Sequence, residues 1–169
     1  MSTSVAVNTH THTATYLAAK MMLTLKELIR ETGLKPENMC GTWMSLETAI
    51  AFYLRNRTLR KVILEVCPAG RPVELVGRWD LEINYTSTDS ADGGFWVDTN
   101  LIKYSIAKAG AYPSTCTYHF VLTVSPGAAD PDGWGDGKLL STDGFKCYSL
   151  GLQIGAPGAG VETHYWTKK

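Results

Sequence analysis

The sequence predicts an α+β fold in which a group of helices covers one face of an antiparallel sheet. Apolar residues recur with helical spacing in three segments, and they alternate with polar residues in three other segments before residue 125. Alternation gives each strand one apolar and one polar face, which is typical of antiparallel sheets with one face in water. Because helices and strands are grouped and do not alternate regularly, a doubly wound parallel sheet is not expected.

The composition is that of an ordinary soluble domain. A chain of 169 residues is long enough for one domain that buries roughly 70% of its unfolded surface. Sixteen basic and sixteen acidic residues cancel, so we expect neither direct nucleic-acid binding nor attraction to a membrane. There is no apolar run of about 20 residues, and we expect no secretory signal because no charged segment followed by an apolar one is visible at the N-terminus. Because the four cysteines form no Cys-x-x-Cys pair, we expect a cytoplasmic protein with free thiols.

The first part of the chain is predicted to be helical after a flexible lead. Residues 1–14 are rich in serine and threonine and are expected to be a flexible lead or a weak edge strand. The first helix is predicted to begin at Tyr16, capped by Thr15, and to end at Gly33. A second helix carries apolar residues three and four positions apart: Trp43, Leu46, Ile50, Tyr53 and Leu54.

A hairpin, a third helix and a strand complete the predicted core, residues 15–125. Residues 61–66 and 78–85 alternate, and the proline- and glycine-containing segment 67–72 between them predicts a turn. Four polar residues of the second strand are assigned to a face in water: Arg78, Asp80, Glu82 and Asn84. The third helix is predicted to start after Asp98 and to end at Gly110, and residues 118–124 form the next strand.

The last segment, residues 126–169, is predicted to be a mobile belt docked on this core. It holds nine of the sixteen glycines, and its first part, residues 126–137, has the composition of a loop. Tyr148, Leu150, Leu152 and Ile154 then alternate with polar or small residues, which predicts a strand, and residues 161–166 predict a second one.

The sequence contains no recognisable catalytic motif, and we expect no catalytic residue, no cofactor and no metal. The nearest approach to a metal loop is the segment with Asp130, Asp132 and Asp136. A calcium loop of the EF-hand type requires a glutamate at its twelfth position, where this chain has Ser141. This difference argues against an EF-hand. The three aspartates still support an alternative function, a small-ligand or calcium-dependent binding domain that uses residues 130–136.

Short segments along most of the chain resemble bacterial HORMA-domain proteins (family 1), which occur beside cGAS-like nucleotidyltransferases in anti-phage (CBASS) operons. The resemblance is carried, in order, by residues 59–65, 78–80, 94–99, 103–110, 141–144 and 165–166. It implies a HORMA fold, with three helices on an antiparallel sheet and with residues 126–169 as the C-terminal segment called the safety belt.

The resemblance also implies a function. In that family the belt wraps a closure-motif peptide that adds a strand to the sheet, and the peptide-bound, closed form activates the nucleotidyltransferase to make a nucleotide second messenger. A AAA+ remodelling ATPase reopens the domain. Because the sequence ends three residues after Trp166, we expect the peptide to come from another protein or from the N-terminus of another copy of this chain.

Two sets of site residues follow. Peptide-binding residues are expected on the last core strand and on the belt: Thr117, His119, Val121, Thr123, Trp134, Phe145, Tyr148, Leu150, Leu152 and Ile154. The flexible lead is the expected handle for the ATPase: Ser2, Thr3, Ser4, Val5 and Val7.

Overall fold

A computed structural model of the chain describes residues 2–86 and 94–169, with the backbone alone for residues 2–10. The elements in order are α1 (Ser2–Glu31), α2 (Glu37–Cys40), α3 (Trp43–Arg55), β1 (Leu59–Cys67), β2 (Gly77–Tyr85), β3 (Trp96–Val97), α4 (Thr99–Ala109), β4 (Thr117–Val124), β5 (Phe145–Ala156) and β6 (Ala159–Lys168). All strands pair antiparallel, so the predicted α+β class is confirmed.

The six strands form one sheet in the order β3-β5-β6-β2-β1-β4. The β1–β2 hairpin lies at its centre, with Leu64 opposite Trp79. β4 pairs with the free side of β1 and forms one edge of the sheet. On the other side lies the C-terminal hairpin of β5 and β6, here called the tail. Its strand β6 pairs with β2 from Arg78, opposite Trp166, to Tyr85, opposite Ala159.

The helices cover one face of this sheet and enclose the core. The predicted stripe of α1 is buried, and Leu17, Met21 and Leu25 are completely shielded from solvent. They pack with the central strands, among which Leu64 and Trp79 are also fully buried. In the described part of the chain no helix is long and apolar enough to cross a membrane.

The first helix begins much earlier than the sequence predicts. α1 starts at Ser2 and not at Tyr16, and Thr15 is not a cap, since its hydroxyl donates to Thr11 O within the helix. The prediction of an edge strand is wrong for residues 2–14, which are helical. Ala14 is fully buried, and Thr13 Oγ1 donates to Pro157 O in the β5–β6 turn over 2.6 Å. Packing against the tail thus overrides the weak helix propensity of a threonine-rich segment.

The sheet face turned away from the helices, here called the far face, is only partly in water. The predicted exposed residues Arg78 and Asp80 lie on it but are 6% and 1% exposed. Asp80 accepts two hydrogen bonds from Arg78, at 2.6 and 2.9 Å, and one from Trp166 Nε1 at 3.2 Å. Trp166 also covers the Arg78 guanidinium, whose carbon lies 5.1 Å from the ring centroid. The tail hairpin therefore buries this end of the face.

Candidate functional site

The outer edge of β4 is open to another strand. β4 pairs with β1 along one side only, with Leu122 opposite Val62 and His119 opposite Glu65. Within the described residues no backbone group bonds to its other side. Free N–H and C=O groups along such an edge can pair with an added strand. Four predicted peptide-binding residues lie on this strand and point to the far face: Thr117, His119, Val121 and Thr123.

The chain between β4 and β5, residues 125–144, is here called the crossing segment because it passes around this open edge. On the helix side Asp130 accepts a hydrogen bond from Tyr53 of α3, at 2.6 Å. Trp134 packs against the helical core and lines a cavity together with Met44 of α3. These contacts hold the first half of the crossing segment against α3.

The second half of the crossing segment lies on the far face. Gly137 lies against Val121, in the middle of β4. The Leu140 amide donates to Glu65 Oε2 of β1 at 2.9 Å. The chain therefore moves from one face of the sheet to the other between Trp134 and Gly137. Because Val121 is in the middle of the edge strand, the route runs around the open edge of β4.

Two anchors keep the crossing segment in place. Burial, with a smaller effect of Asp130, raises the pKa of Tyr53 to about 12, so its phenol remains a hydrogen-bond donor at neutral pH. Glu65 is completely buried, and its Oε1 lies 2.8 Å from His119 Nε2. One carboxylate therefore ties together β1, β4 and the crossing segment through Leu140.

The predicted residues of the tail strand are not brought to this edge. β5 is separated from β4 by β6, β2 and β1, so in this arrangement Phe145, Tyr148, Leu150, Leu152 and Ile154 lie away from the β4 edge. Their contact with a peptide stays a prediction. Their strict alternation is also broken, because Gly151 has φ +78° and the β5–β6 register shifts around Leu152. As a result Leu152 is 49% exposed while Ile154 is fully buried.

Sequence reasoning identified Trp134 but missed the anchors beside it. The helical spacing of Tyr53 predicts only a core residue. The signal for Glu65 is an acidic residue among the apolar residues of β1, which indicates a buried carboxylate that needs partners. Asp130 serves as an anchor for the crossing segment. Among the described residues, Asp130, Asp132 and Asp136 are not gathered at the distances of metal ligands.

The predicted ATPase handle belongs to the first turns of α1. Ser2, Thr3, Ser4, Val5 and Val7 are helical in their backbone. Their side chains lie outside the described part of the structure.

Comparison with known protein families gives a match over nearly the whole chain. The family model described as Bacterial HORMA domain 2 matches residues 2–169. No curated protein sequence is significantly similar to the chain.

Several solved structures share the fold at low sequence identity. A chain of the mitotic checkpoint complex aligns with a TM-score of 0.71 at 11% identity, covering 92% of this chain and 98% of its own. C. elegans HTP-2 bound to the HIM-3 closure motif aligns with a TM-score of 0.55 at 14% identity, covering 75% and 69%. The E. coli MS115-1 CdnC:HORMA-deltaN complex aligns with a TM-score of 0.60 at 11% identity, covering 94% and 89%.

Proposed function

The chain belongs to the bacterial HORMA domain 2 family, and from this premise we propose that it is a signalling adaptor that captures a closure-motif peptide at the outer edge of β4. The resemblance to bacterial HORMA domains is confirmed, with family 2 in place of the family 1 that the sequence suggested. The observation that carries the proposal is the route of the crossing segment around the unpaired edge of β4.

The geometry accounts for both affinity and slow release. A peptide that pairs with β4 gains main-chain hydrogen bonds, while side-chain pockets provide specificity. Such a peptide lies beneath the turn between Trp134 and Gly137, which joins anchors on opposite faces of the sheet. It therefore cannot leave sideways until at least one anchor opens. Affinity then appears mainly as slow dissociation.

The capture step is tested with peptides selected from a random library displayed on phage, with the full chain as bait. Hydrogen exchange should show that a selected peptide protects amides of β4, because they gain ladder partners. Trp134→Ala should speed dissociation of that peptide at least about tenfold, which corresponds to about 1.4 kcal/mol. Tyr148→Ala is the matched aromatic control, since three strands separate β5 from β4. Protection confined to other strands, or equal effects of both variants, would exclude the β4 edge.

We further propose that the peptide-bound form activates a cGAS-like nucleotidyltransferase of anti-phage defence, which makes a nucleotide second messenger. The similarity in fold to the E. coli CdnC:HORMA-deltaN complex supports this partner. A purified CdnC-type enzyme, assayed for nucleotide product, should be stimulated by the chain with a selected peptide and not by the chain alone. Equal product formation with and without the peptide would show that activation does not require peptide capture.

A AAA+ ATPase is the proposed remodeller, and the start of α1 is its proposed handle. Deleting residues 2–7, which include Ser2, Thr3 and Val5, should leave peptide capture intact, because the tertiary anchor of this helix at Thr13 is retained. The same deletion should abolish ATP-driven release of a fluorescent peptide by the ATPase. Release at the full-length rate would place the handle elsewhere, and loss of capture would show that these residues belong to the folded core.

A further inference from the structure

A second group of polar side chains lies on the far face, where β2 and β6 pair. Glu82 of β2 is directly opposite Glu162 of β6, and His164 follows two residues later on the same face. One ligand atom from each residue lies within 4.8 Å of the others. His164 Nε2 is 3.1 Å from Glu82 Oε2 and 3.8 Å from Glu162 Oε1. This group is remote from the crossing segment's anchors and has no role in the proposed peptide site.

The imidazole nitrogen in this group has no hydrogen-bond partner. His164 Nε2 is shielded from solvent and, among the described residues, makes no hydrogen bond of acceptable geometry despite the short distance to Glu82. Buried polar atoms are almost always satisfied, so an unpaired nitrogen facing two carboxylates requires a physical reason. An ion at the convergence of the three side chains would provide the missing partner and also balance the two negative charges.

The second carboxylate is held in place by its neighbours. Glu162 Oε1 accepts a hydrogen bond from Ser149 Oγ at 2.9 Å, and Oε2 accepts one from Asn84 Nδ2 at 3.2 Å. Donors from β5 and β2 therefore fix the orientation of this carboxylate. Outer partners of this kind orient metal ligands and contribute to metal affinity.

The charges around the group leave it available to a cation. Asp80, which lies opposite His164 in the sheet, is already paired with Arg78. Lys61, opposite Glu82 on β1, places its ammonium 3.7 Å from Asp80. Both nearby cationic side chains therefore form ion pairs with Asp80, and among the described residues neither forms one with Glu82 or Glu162.

We propose that Glu82, Glu162 and His164 form a binding site for a divalent transition-metal ion, of which Zn²⁺ fits the donor set best. Zinc combines imidazole nitrogen with carboxylate oxygen, whereas Mg²⁺ and Ca²⁺ prefer sets of oxygen ligands. Three protein ligands leave a fourth position for water. The side chains of Glu82 and Glu162 are 37% and 28% exposed, so that position faces solvent.

The site joins the body of the domain to its tail. Glu82 belongs to the central hairpin, while Glu162 and His164 belong to β6, so the ligands meet only when β6 is paired with β2. An ion bound here therefore stabilises the docked tail by mass action, because the undocked chain lacks the site. This inference goes beyond the proposed peptide capture and does not depend on it.

The test is a titration of the untagged, full-length, chelator-treated chain with ZnCl₂, followed by calorimetry, and with CoCl₂, followed by visible absorption. We expect one ion per chain and a rise in melting temperature with zinc. His164→Gln and Glu82→Gln should each weaken binding by at least about 100-fold and remove the shift in melting temperature, and Asn84→Ala should weaken binding about tenfold. Circular dichroism checks that each variant is folded. If His164→Gln does not fold, Glu82→Gln is the decisive variant, because the Glu82 side chain is partly exposed.

Two control variants separate this site from other ligands in the chain. His12→Gln removes an exposed imidazole, and Cys147→Ser removes an exposed thiol on the neighbouring strand β5. Both should bind zinc as the unaltered chain does. The proposal fails if no zinc binds, if stoichiometric binding persists in Glu82→Gln, or if binding is lost in either control variant.

Discussion

Replacing Asp80 with asparagine should lower the free energy of unfolding by about 3–5 kcal/mol, the cost of leaving one partner of a buried ion pair uncompensated. The Asp80 carboxylate is 1% exposed, and Arg78 is 6% exposed. Among the described residues, Asp80 is the only charged partner of Arg78. It also accepts from Trp166 Nε1, so the substitution weakens a contact between the tail and the body. Urea denaturation followed by tryptophan fluorescence measures the loss.

A matched control and a double variant test the cause of this effect. Asp132→Asn makes the same chemical change at an exposed position and should alter stability by less than about 0.5 kcal/mol. Replacing Arg78 with methionine together with Asp80→Leu removes both charges, and such replacements are often neutral. If that double variant is as unstable as Asp80→Asn, lost packing and not an unpaired charge is the reason.

The parts of the fold that depend on local pattern could be predicted from the sequence. The apolar stripe of α1 and the alternation in β2 reflect burial that each element requires wherever it packs, and Leu17 and Trp79 are buried accordingly. The helix cap is equally local, since Asp98 accepts from the Leu101 amide three residues later. Periodicity and capping use information from within a single turn or strand.

Other parts depend on which distant segment packs where, and sequence pattern does not contain that choice. Arg78 and Asp80 alternate like exposed residues, but Trp166 from the tail covers them. Thr13 extends α1 because it meets Pro157, which is 144 positions away. The anchor between Tyr53 and Asp130 likewise spans 77 positions. Each of these contacts has a polar partner that no local rule selects.

The candidate peptide site shows the same division. That β4 is a strand followed by a loop could be predicted, and so could the involvement of Trp134 in that loop. The pairing of β6 with β2 could not be predicted. Because of it, Tyr148 and Leu152 on β5 are separated from β4 by three strands of the sheet. Single strands that alternate well can pair on either side of a hairpin, because alternation specifies a face and not a neighbour.

Replacing Ile154 with alanine should weaken tail docking by about 2–5 kcal/mol, the usual cost of removing a large aliphatic side chain from a packed core. Ile154 is fully buried in the core that α1 and the sheet enclose. It lies beside Gln153, whose amide reaches Thr24 of α1 at 3.3 Å. Because β5 and β6 pair along their length, we expect amides of both strands to exchange faster in this variant.

Leu152 provides a control of similar size on the same strand. It is 49% exposed and only two positions from Ile154, so Leu152→Ala should change the free energy of unfolding by less than about 0.5 kcal/mol.

Hydrogen exchange distinguishes two possible consequences of Ile154→Ala. If the tail can undock while the body remains folded, exchange rises in β5 and β6 and stays slow in β1. If β1 and the tail strands accelerate together, the tail unfolds only with the whole domain, and a peptide-dependent exchange of the belt between docked and undocked states is excluded for this chain. Equal losses of stability in Ile154→Ala and Leu152→Ala would instead contradict the register of β5 on β6, on which the burial of Ile154 depends.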